Sequence, residues 1–81
     1  VARVLLFGRL RDIAGWRERC FDPAPERLSA LKAMIRLVDA ALADALDGPG
    51  VQAAVDKALV RGDVILRPDA EVAFLPPMSG G

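Results

Sequence analysis

Apolar positions recur along this chain with two different periods. Val4, Leu5, Leu6 and Phe7 form an unbroken apolar run after Arg3, the pattern of a strand buried on both faces, and Gly8 ends it. Arg9 to Ala14 reads as a helix of one or two turns closed by Gly15 just beyond its last residue. Trp16 to Phe21 is a second strand with a polar centre of Arg17, Glu18 and Arg19. Its apolar members Trp16, Cys20 and Phe21 do not share one parity, so the pattern leaves its inward face open. Asp22-Pro23-Ala24-Pro25 is a loop.

From Leu28 the period changes to that of a helix. Leu28, Leu31, Ile35, Val38, Leu42 and Leu46 follow one another at spacings of three and four, which places them on one stripe. The alanines between them are strong helix formers, and Gly48-Pro49-Gly50 stops the element. The start is weak, because Arg27 is a poor cap, although Glu26 suits the helix dipole. A break near Leu37–Asp39 would give two helices in place of one long one. Val51–Val55 and Ala58–Val60 then read as two strands of a hairpin around Asp56-Lys57. Arg61-Gly62-Asp63 is a turn, Val64-Ile65-Leu66 leads to the polar turn Arg67-Pro68-Asp69-Ala70, and Glu71–Leu75 is the last strand. A helical region between two hairpin-like regions packs most economically across one face of a mixed sheet. The first and last strands, the most apolar, belong side by side at the centre. The expected class is α+β, a ubiquitin-like β-grasp with a mixed sheet of about five strands, as a domain over residues 1–75 with a projecting C-terminal tail over residues 76–81.

Composition narrows the chemistry. At 81 residues and 53% hydrophobic the chain has the means for one small core. Eleven basic and eleven acidic residues give a formal net charge of zero, which argues against a general nucleic-acid binder. No apolar run approaches the roughly 18 residues of a membrane span, and the N-terminal stretch is too short for a signal peptide. A single cysteine, Cys20, permits no internal disulfide and suits a reducing, cytoplasmic setting. A lone cysteine in a strand is expected to be a small buried hydrophobe. The chain has no histidine, which removes the commonest general base, the Cys–His and Ser–His pairs and every histidine-containing metal site. The carboxylates are scattered without metal-loop spacing, so no metal site is expected.

What remains is the terminal stretch Pro76-Pro77-Met78-Ser79-Gly80-Gly81, directly after a hydrophobic strand. Two prolines favour an extended segment that stands the tail off the body. Glycines without Cβ atoms let it thread a narrow channel toward the terminal carbonyl. The working group expected here is the α-carboxylate of Gly81.

Three stretches carry a resemblance to a known family. Val4-Leu5-Leu6-Phe7-Gly8-Arg9-Leu10-Arg11-Asp12-Ile13-Ala14-Gly15, Ala54-Val55-Asp56-Lys57-Ala58-Leu59-Val60 and Glu71-Val72-Ala73-Phe74-Leu75-Pro76-Pro77-Met78-Ser79-Gly80-Gly81 resemble the small subunits of molybdopterin synthase, sulfur carriers of molybdenum cofactor biosynthesis. The chain departs from that family at Asp56, where Asn is usual, at the turn 68–71, and at Arg27, where Thr often caps the long helix. The resemblance implies a subunit without catalytic side chains and without a bound cofactor. A ubiquitin-activating-enzyme-like adenylyltransferase would use ATP to adenylate Gly81, and a sulfurtransferase donor would convert the adenylate to a thiocarboxylate. The large catalytic subunit, in a heterotetramer, would transfer that sulfur to cyclic pyranopterin monophosphate. Neither nucleic acid nor membrane is an expected partner.

Strand alternation predicts Phe74 inward with Val72 and leaves Leu75 either exposed beside the tail or packed beneath a loop. The resemblance places Arg11, Leu59, Phe74 and Leu75 among the partner-binding residues, with Leu75 outward. Without it, Arg11 reads as a solvated charge. Two other readings of the same tail are a sulfur carrier for thiamine thiazole synthesis and a ubiquitin-like modifier joined through Gly81 to a lysine.

Overall fold

The computed structural model describes residues 1–77. Five strands form one sheet in the order β2-β1-β5-β3-β4, with β1 Ala2–Leu6, β2 Glu18–Phe21, β3 Gln52–Val55, β4 Ala58–Val60 and β5 Glu71–Leu75. The first and last strands lie side by side at the centre and run parallel, Leu6 opposite Phe74, while the other pairings are antiparallel. This is the expected β-grasp. The β3–β4 connection is a two-residue turn in which Asp56 and Lys57 have φ of 49° and 71°. Two successive positive φ values match the twist of a hairpin.

One face of the sheet makes the core. The cross-strand row Leu6–Phe74–Ala53–Val60 and its neighbours Val4 and Val72 meet the helices. Phe21 closes this layer from β2 and is buried, whereas Cys20, Arg19 and Glu18 are exposed. That settles the inward face of β2, and it corrects the expectation of a buried cysteine. Cys20 stands opposite Arg3 on the outer face of an edge strand and is exposed.

The helical region is two helices. α1 is Arg9–Ala14, and α2 (Leu28–Val38) and α3 (Ala40–Leu46) replace the single long helix, with Asp39 between them at φ −156° and ψ 89°. Leu28, Leu31, Ile35, Leu42 and Leu46 are buried as the stripe requires, but Val38 is 50% exposed because the extended Asp39 turns the chain just after it. The weak N-cap of α2 is compensated from a distance. Asp63 accepts hydrogen bonds from the Ser29 backbone N–H and from Ser29 Oγ, both at 2.8 Å. These satisfy first-turn groups that Arg27 cannot.

Candidate functional site

Where the chain leaves the sheet, its last described residues rest on two glycines. A Cβ placed on Gly8 would lie 2.8 Å from Pro76 Cγ, and one placed on Gly50 would lie 2.7 Å from Pro77 Cβ. Both glycines have positive φ, 56° and 80°. Pro76 is half-buried. The expectation that the two prolines stand the tail off the body is therefore corrected for Pro76 and Pro77, which lie against it. Pro77 also borders a groove of about 300 Å³ with Arg9, Leu10, Ala45, Pro49 and Val51. Met78, Ser79, Gly80 and Gly81, the residues given the central role above, lie outside the described residues.

The sheet face away from the helices continues from this exit. Its central cross-strand row runs Glu18–Leu5–Ala73–Ala54–Leu59. Leu59 is 63% exposed, while Leu5, Ala54 and Ala73 are half-buried. Leu75, two residues beyond Ala73 on β5, shares this face and is half-buried, so it faces outward with less exposure than expected. Arg11 is exposed and shares a cleft with Leu5, Phe7, Arg17 and Glu18. The structure thus gathers Leu59, Leu75 and Arg11 around one apolar row. Phe74 is excluded from it. With 1% of its surface exposed, its ring is spent on the core and has nothing to offer a partner, which corrects its place among the docking residues.

Charged groups bound this apolar centre and hold its strands in place. Arg3 donates to Glu71 Oε1 at 2.8 Å and lies 3.9 Å from Glu18, and the Glu71 hydrogen bond and charge raise its pKa further above the ordinary value. Asp56 accepts from the Glu71 backbone N–H at 3.1 Å and from Arg67 Nε at 3.3 Å. The first of these bonds, aided by the Arg67 charge, lowers its pKa. That bond tethers the β3–β4 turn to the start of β5, a task any acceptor of this length performs. Asp63 is lowered chiefly by its two bonds from Ser29.

Among the described residues no group of three or more metal-ligating side chains comes together, and no helix is long and apolar enough to cross a membrane. A half-apolar face bounded by ion pairs suits reversible docking, where a small dry centre and a polar rim combine. Leu5, Ala54 and Ala73 were not singled out from the sequence, although alternation along β1, β3 and β5 assigns them once the register is known. The sequence marks Gly8 and Gly50 only as the ends of the first strand and of the helical region, with no sign of their contact with the prolines.

The ThiS family model matches residues 4–81 of the chain. No curated protein matches it. Among solved structures, the crystal structure of SAMP1 from Haloferax volcanii is similar over 99% of this chain and 98% of that one, with a TM-score of 0.76 and 23% sequence identity. At that identity the similarity concerns the fold, the same β-grasp.

Proposed function

Since the chain belongs to the ThiS family of ubiquitin-like sulfur carriers, we propose that it is the sulfur-donating small subunit of a molybdopterin synthase. The observation that carries the sulfur-carrier part of this reading is that the family match runs through the Gly80-Gly81 stretch, to residue 81. In the proposed cycle the Gly81 carboxylate attacks the α-phosphate of ATP on an adenylyltransferase, releasing pyrophosphate and leaving an acyl-adenylate. A persulfide donor then displaces AMP to give an acyl disulfide. A thiol reductant, itself oxidised to a disulfide, cleaves the S–S bond to leave the Gly81 thiocarboxylate and the donor thiol. In the large subunit that sulfur passes to cyclic pyranopterin monophosphate, and water restores the carboxylate. Catalytic acids and bases reside on the partners, in keeping with a chain that lacks histidine. The Leu5–Ala73–Ala54–Leu59 row, with Leu75 and Arg11, supports the reading by offering one face that successive partners can share.

The Pro76-Pro77 pair before the tail and the length of the α2–α3 region favour the molybdopterin assignment over a thiazole carrier. The test is intact-mass spectrometry after incubation with an adenylyltransferase, ATP and a sulfur donor, followed by addition of candidate acceptor enzymes. One oxygen replaced by sulfur, then lost to cyclic pyranopterin monophosphate in the presence of the large subunit, is the expected result. Sulfur delivered only to a thiazole synthase would move the chain to that pathway. Conjugation to lysines in place of sulfur loading would make it a modifier.

A further inference from the structure

We infer that Gly8 and Gly50 are positioning residues: together they form a seat that holds Pro76 and Pro77 on the body and so fixes where the reactive tail begins. The inference rests on the sulfur-carrier reading for its functional consequence, but its geometry stands alone. Four described glycines have positive φ. At Gly15 and Gly62 an added Cβ would meet nothing within 4 Å, so those two serve the backbone only. At Gly8 and Gly50 an added Cβ would run into Pro76 Cγ at 2.8 Å and Pro77 Cβ at 2.7 Å, closer than real Cβ contacts come. Two glycines from separate connections, one after β1 and one after α3, each leave room for one of two consecutive prolines. Proline suits this seat because its fixed φ and its lack of an N–H let it lie on a backbone without a donor to satisfy.

The consequence is a shorter reach. Measured from Leu75, six residues span at most about 21 Å when extended, whereas four residues beyond a seated Pro77 span about 14 Å. A partner that reacts at Gly81 must then bring its reacting centre within about 14 Å of the Pro77 seat. The direction in which the chain sets out is also fixed relative to the docking face, which lowers the entropy lost when the tail enters a channel.

The experiment has two arms. In the isolated protein, NMR should show nuclear Overhauser contacts between the Gly50 α-protons and the Pro77 β-protons, and between the Gly8 α-protons and the Pro76 γ-protons. Gly50→Ala should abolish the first set, while Gly62→Ala, which carries the same kind of backbone strain without a proline neighbour, should keep both. Contacts absent from the wild type, or retained in Gly50→Ala, overturn the seat whatever the activity. In the second arm, sulfur transfer to the acceptor enzyme is measured against partner concentration. Gly50→Ala should lower the maximal rate about ten- to a hundred-fold with an unchanged half-saturating concentration, because the docking face is untouched. A wild-type maximal rate overturns the positioning role, as does a fall matched by Gly62→Ala. If Gly50→Ala does not fold, Gly8→Ala carries the same two arms with a smaller loss, since a puckering ring carbon can yield there. No transfer from the wild type would refute the sulfur-carrier reading, and the nuclear Overhauser contacts would then decide the seat by themselves.

Discussion

The joint between α2 and α3 depends on one side chain, and Asp39→Ala tests how much. Asp39 serves both helices at once. Its N–H closes α2 on the Ile35 carbonyl at 2.8 Å, its carbonyl accepts the Ala43 N–H at 3.0 Å, and its Oδ1 accepts the Leu42 N–H at 2.9 Å. Alanine keeps the two backbone bonds and removes the third. Loss of an N-cap acceptor costs about 1 kcal/mol in most hosts. Here Leu42 is fully buried, so its N–H has poor access to water and the cost moves toward about 2 kcal/mol. Alanine also favours a continuous helix, but by no more than about 0.7 kcal/mol over aspartate, so the cap outweighs the propensity. For a domain of this size the net loss corresponds to a Tm lower by roughly 5–15 °C. Thermal unfolding followed by far-UV circular dichroism would measure it, with Asp39→Asn, which keeps an acceptor, expected to melt close to the wild type. If Asp39→Ala melts as high as the wild type and gains helical signal, the break is not held by the cap and the reasoning fails.

Two further outcomes follow from the geometry. Asp63 has a folded-state pKa below the ordinary 3.8 because the Ser29 N–H and hydroxyl bind its charged form. The stability it adds is present above the unfolded-state pKa and is lost as pH falls through the lower, folded-state one. Denaturant midpoints should therefore decline in that acid range, and Asp63→Asn should flatten the decline; an unchanged slope would show that the Ser29 contact is not formed in solution. Leu59→Asp should leave thermal stability within about 0.5 kcal/mol, since the side chain is 63% exposed. It should weaken binding to the proposed large subunit by about 1–2 kcal/mol in a titration calorimeter, and full affinity would remove the outer sheet face from the docking surface.

Elements with a strong local signal were legible in the sequence. The central pairing of β1 with β5 followed from their being the most apolar strands, and the helical stripe named five residues that are buried. Val38 departs from that stripe because periodicity counts residues and does not register the backbone angles that Asp39 adopts. The remote cap from Asp63 to Ser29 was illegible for another reason: 34 residues separate the partners, and only the completed fold brings them together. On the outer face the same limit applied. Leu59 and Leu75 were legible through the resemblance, but Leu5, Ala54 and Ala73 become one row only through the register of three strands. Phe74 carried two incompatible roles, and alternation, which sent it inward, was the correct guide. The prolines of the tail were read from their own conformational preference, which says nothing of the glycines beneath them.

The central claim is that this chain carries sulfur on Gly81, and intact-mass spectrometry tests it most directly. After incubation with an adenylyltransferase, ATP and a sulfur donor, the account predicts a species with one oxygen replaced by sulfur, localised to the C-terminal peptide and absent when Gly81 is deleted. An unchanged mass with the full set of activating components, in a chain shown to end at an intact Gly81, would contradict it.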